Sequence, residues 1–135
     1  MYLKAFVVDA KVGEELFGAL GPLSSFSQRT AMARAYGYIS RKRYDDLTLI
    51  RQVRNHFAHH PLDATFASPK VATLCIKLSE FATAKQESET QTEAHINRTA
   101  FLLSCVMFCG SAHHRMEEHV KQKAVKPAKA SSPES

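Results

Sequence analysis

Apolar residues recur at helical spacing along most of this chain and alternate strictly almost nowhere, so the pattern predicts helices and no sheet. Residues 2–20 carry Leu3, Phe6 and Val7, then Val12, Leu16, Phe17 and Leu20, as one or two short helices stopped by Gly21-Pro22. Ser24 or Ser25 is placed to cap the next helix, which holds Phe26, Thr30 and Ala33 and ends near Gly37. Ser40 caps the strongest candidate. There Tyr44, Leu47, Ile50, Val53 and Phe57 recur every three or four residues, as one buried face requires, and the helix runs to about His59 before Pro61. PLDATFASP reads as a loop. Ser68-Pro69 then starts a helix carrying Val71, Leu74, Cys75, Leu78, Phe81 and Ala82. KQESETQTE at 85–93 reads as a polar connection. A last helix is expected from about Ala94 to Lys121. Its middle, AFLLSCVMFC, is apolar nearly all round, which predicts central burial or use in an oligomer interface.

These elements make an all-α chain, a small bundle of about five helices in one domain over residues 1–121. Residues 122–135, rich in Lys, Ser and Pro, are expected to be a disordered tail. No apolar run reaches the length of a membrane helix, and the N-terminus lacks the basic segment and cleavage site of a signal peptide, so a cytoplasmic protein is expected. Three cysteines without framework spacing fit reduced thiols.

The net charge is +5, and its position matters more than its sum. Residues 29–54 hold Arg29, Arg34, Arg41, Lys42, Arg43, Arg51 and Arg54 against only Asp45 and Asp46. Residues 1–28 and 55–120 are net acidic, and the tail is basic. The basic stretch leads into RNHFAHH, residues 54–60, with Arg54, Asn55, His56, His59 and His60 around Phe57 and Ala58. At helical spacing Arg51, Asn55 and His59 share a face, with Arg54 one residue round. Cations suit the end of a helix dipole, which accounts for charge but not for an asparagine and three histidines. Arginine offers a forked donor to phosphate, and histidine moves protons near neutral pH. The bland alternative is that Arg54 and Asn55 hydrogen-bond loop carbonyls around PLDATF. Cys105, Cys109 and His113 recur along one helix face, but the outer two are about 12 Å apart, too far to share one zinc. No phosphate-binding glycine loop, nucleophile elbow or metal set is evident, so no cofactor and no metal are expected.

Certain motifs carry a longer likeness: LFG at 16–18, GPLSSFSQR at 21–29, A-x-G-x-I at 35–39, DL-x-LIR-x-VRN-x-FAH at 46–59, and LDATF-x-SP-x-V-x-x-LC after them. Over roughly residues 14–82 the chain resembles the MltR family, named for the mannitol operon repressor. The resemblance implies an all-helical bacterial transcription regulator without a familiar DNA-binding motif. It also implies a further helix ahead of LFG, of which MYLKAFVVD reads as the final turns. Arg54-Asn55-x-x-x-His59 is in addition similar to the signature of HEPN domains, helical dimers that include metal-independent ribonucleases. That likeness implies an HEPN-like bundle.

Two functions follow as expectations. The first is an MltR-like regulator, a homodimer or higher oligomer working through a regulatory protein partner or atypical contacts to DNA or RNA. Arg29, Arg34, Arg41, Lys42, Arg43, Arg51, His56 and His60 would touch the nucleic acid. The second is an HEPN-type endoribonuclease, paired with an antitoxin or acting in defence, with Arg54, Asn55 and His59 as its catalytic set. No membrane partner is expected.

Overall fold

The computed structural model describes residues 2–125, and those residues form helices joined by turns and short irregular links, with no strand. A 3-10 turn at Tyr2–Phe6 precedes six α-helices: α1 Ala10–Phe17, α2 Phe26–Ala35, α3 Arg41–His59, α4 Pro69–Cys75, α5 Phe81–Glu87 and α6 Glu93–Val125. The all-α bundle read from the periodicity is what forms. The expected tail at 122–135 begins inside α6, which continues to Val125; the remainder lies outside the described residues.

Local chemistry sets most of the boundaries. Asp9, which the spacing alone did not single out, caps α1 by accepting from Lys11 and Val12 N–H. Ser25 caps α2 in a reciprocal box with Gln28. Ser40 caps α3 by accepting from Arg43 N–H. A Cβ at Gly21 would stand 2.2 Å from the Glu15 carbonyl oxygen, so only glycine lets the chain fold back there. Gly37 sits at φ +72°, the left-handed conformation that ends α2.

One expected helix is two. The stretch from Pro69 to Ala82 breaks at residues 76–80, and α5 then takes in residues 85–87, expected as a polar connection. The cause lies on α3. Asp46, 2% exposed, accepts from both the backbone N–H and the hydroxyl of Ser79, each at 3.0 Å. A continuous helix would give that N–H to Cys75. Instead Lys77 and Leu78 make tight bonds back to Leu74 and Cys75, and the chain turns. The count of helices therefore exceeds the five expected by this one break.

The main core joins α3 through α6: Val53, Val71, Cys75, Ala84 and Ala100 are fully buried. A second cluster of Ala33, Ile39 and Leu47 lies under Phe108 of α6. Phe57, Phe66 and Phe101 form a chain of rings with centroids 5.1 and 5.8 Å apart, locking the end of α3 to the 61–68 loop and α6. The α6 segment, for which central burial or use in an oligomer interface was expected, is buried on one side only: Leu102, Val106 and Met107 are exposed.

Candidate functional site

The last turns of α3 present RNHFAHH because its apolar side is fixed. Val53 is fully buried and Phe57 is packed in the core. With about 100° between successive residues, that fixes Arg51, Asn55 and His59 on the stripe facing away from the core. Arg54 and His56 flank Asn55 on opposite sides. Arg54, Asn55, His59 and His60 are exposed. Among the described residues no hydrogen bond, ion pair or ring contact engages the side chains of Arg54, Asn55 or His59.

The two remaining histidines form a unit. The rings of His56 and His60 stack with centroids 4.4 Å apart, and His60 Nδ1 lies 3.0 Å from the His56 carbonyl oxygen. A carbonyl only accepts, so Nδ1 carries the proton and Nε2 of a neutral His60 is left as an acceptor. His56 is held below the ordinary histidine range, first by burial and then by the positive charges of His60 and Lys70. Its Nδ1 is buried without a partner. The helix end thus stacks the two imidazoles beside a cation from α4.

Arg54 and His59 are five residues apart, about 7.5 Å along the axis and about 140° round it. The two side chains therefore leave α3 in different directions.

The other basic residues are not gathered into one patch. Arg29 Nε donates to the Leu23 carbonyl at 2.7 Å, its guanidinium lying over the Phe17 ring, and closes the turn between α1 and α2. Arg34 donates to the Ile39 carbonyl at 3.2 Å. Arg43 is largely enclosed between Asp46 at 3.8 Å and Glu80 at 3.7 Å. Arg41 pairs with Asp45 at the exposed start of α3. Arg51 borders a cleft with Phe26 and Thr48. Lys42 is exposed.

The alternative in which Arg54 and Asn55 hold the PLDATF loop is not how the loop is held. Fully buried Asn97 of α6 donates to the Phe66 carbonyl at 2.9 Å, and Thr65 N–H donates to Ser68 Oγ at 2.9 Å. Periodicity also missed Lys70, a neighbour of His56, because the two come together only through the loop. Asp46 left one signal: an acid beside Leu47 on the face that Val53 and Phe57 bury.

A family model described as mannitol repressor matches residues 4–128. No curated protein and no solved structure matches the chain.

Proposed function

The chain belongs to the mannitol repressor family, and from that premise we propose a transcriptional regulator that works as a helical dimer and makes its contacts through the outer end of α3. The family match over nearly the whole chain carries the regulatory part. The exposed, unengaged Arg54, Asn55 and His59, with His56, His60 and Lys70 beside them, support the choice of surface. A surface of this kind suits an acidic partner, either a protein or a phosphate backbone. It offers no helix free to enter a groove and read base edges, so contact with DNA would be positional rather than sequence-reading. The test is binding of operator DNA, and of a corepressed protein partner, by the parent and by Arg54→Ala and His59→Ala. Both variants weaken binding under this reading. Direct DNA contact weakens steeply with added salt. Variants that bind as the parent does would overturn the assignment of this surface.

A second reading rests on one observation: Arg54-Asn55-x-x-x-His59 stands unengaged at the end of a long helix in an all-helical chain. In that reading the protein is a metal-independent endoribonuclease of the HEPN type. A ribose 2′-OH attacks the adjacent phosphate and the 5′-oxygen leaves. His59 moves the proton, Arg54 from the second copy stabilises charge on the phosphate oxygens, and Asn55 orients them. Cleavage of single-stranded RNA in EDTA, lost in Arg54→Ala and in His59→Ala, distinguishes it. A parent inert on diverse RNAs removes it and leaves the regulator intact.

A further inference from the structure

The regulator dimer of the first reading needs a face, and we infer that it is the outer side of α6, meeting the same helix of a second copy antiparallel. At 33 residues α6 is about 50 Å long and much the longest element. Its inner side is spent on the bundle through Asn97, Ala100 and Ser104, all fully buried. The opposite side places Leu102, Val106, Cys109 and Gly110 together at helical spacing. Leu102 is 48% exposed and Val106 65%. A Cβ built at Gly110 has nothing within 4 Å. Most exposed apolar side chains on a small protein are scattered; these are contiguous, and glycine among them lets another backbone come close.

The charges argue for a second copy rather than an unrelated partner. Arg98 lies on one side of the apolar stretch and Glu117 on the other, both exposed. Glu117 meets His113 of its own helix at 3.2 Å through Oε1, and Arg98 has no ion pair among the described residues. The midpoint between Arg98 and Glu117 falls between Val106 and Cys109. An antiparallel crossing there sets Val106 of each copy against Cys109 of the other. By the same symmetry it sets each Arg98 against the other copy's Glu117, so one apolar seam is closed by two opposite-charge pairs. A parallel crossing would set Arg98 against Arg98 and is disfavoured.

Light-scattering mass and sedimentation, from micromolar to submillimolar protein, test this. The parent chain is expected to be a dimer. Val106→Glu weakens it by about tenfold or more, roughly the 1.4 kcal/mol of a lost apolar seam residue, and leaves the helical circular dichroism unchanged because Val106 is already exposed. Arg98→Glu and Glu117→Arg each weaken the dimer, and the double variant restores it. A parent that stays monomeric, a dimer indifferent to Val106→Glu, or a double variant no stronger than the singles overturns the assignment. The contact tests on Arg54 and His59 are read separately: loss of binding there with an intact dimer, or the reverse, tells which proposal has failed.

Discussion

Replacing Asp46 with alanine is the sharpest test of how this bundle is held. Asp46 Oδ1 accepts two hydrogen bonds from Ser79, and its other oxygen lies 3.8 Å from Arg43 Nη1. A hydrogen bond to a charged group is worth about 1.5–3 kcal/mol. Asp46→Ala removes two, strands the Ser79 N–H, and leaves the enclosed Arg43 with Glu80 alone. Breaking a buried charged pair by removing one member costs about 3–5 kcal/mol. The two routes to the number overlap, and the expected loss is about 3–4 kcal/mol. A chain of this size then melts roughly 10–15 °C lower. Ser79→Ala keeps the backbone bond and should cost only about 1 kcal/mol. Because both act on one contact, the double variant should cost less than the two losses added. Urea unfolding followed by circular dichroism, at fixed protein concentration, measures all three. A loss under about 1 kcal/mol for Asp46→Ala, or strict additivity with Ser79→Ala, refutes the idea that this contact divides α4 from α5.

Two further predictions concern titratable groups. His56 is held below its ordinary value near 6.5, so the unfolded chain takes up the proton first. Its contribution is fully present above that value and is lost as pH falls through the lowered folded value. His56→Gln should flatten the fall of stability in that window, and an NMR titration should place the His56 midpoint below the ordinary histidine value; a midpoint at or above that value contradicts the burial argument. Burial pushes the Cys75 thiol up to about 11, and Cys105 is raised by burial and then by Cys109. Exposed Cys109 should therefore alkylate first in dilute native protein, more slowly as concentration rises if α6 pairs, and Cys75 only on unfolding.

What was legible in the residues follows the range of the forces. Caps at Ser25 and Ser40, the proline start of α4 at Pro69, the stop at Gly21-Pro22 and the face of α3 are short-range and readable in the sequence. The expected capping hydroxyl of Ser68 is not used on α4, because it accepts from Thr65 N–H instead. The break between α4 and α5 is not, because it depends on an aspartate 33 residues away. The outer stripe Arg51, Asn55 and His59 was readable from spacing alone. Lys70 beside His56, and the employment of Arg29, Arg34 and Arg43 inside the fold, were not, since a sequence shows a cation but not the carbonyl or carboxylate it meets. The buried side of AFLLSCVMFC also needed the fold, because an all-apolar stretch does not say which half is covered.

Arg115 ties α6 to the turn between α2 and α3: its Nη1 donates to the carbonyls of Gly37 and Tyr38, 78 and 77 residues earlier. Phe108 covers the Ala33, Ile39 and Leu47 cluster from the same helix. During synthesis the first half therefore emerges with only Leu3, Tyr38 and Tyr44 against that cluster, and the side that Phe108 covers is open. Closure waits until α6 has left the ribosome, and the wait is set by elongation rather than by the speed of helix formation. The vulnerable interval of this protein's life is the one before α6 has emerged, when one side of Ile39 and Leu47 is open to chaperones and to other chains.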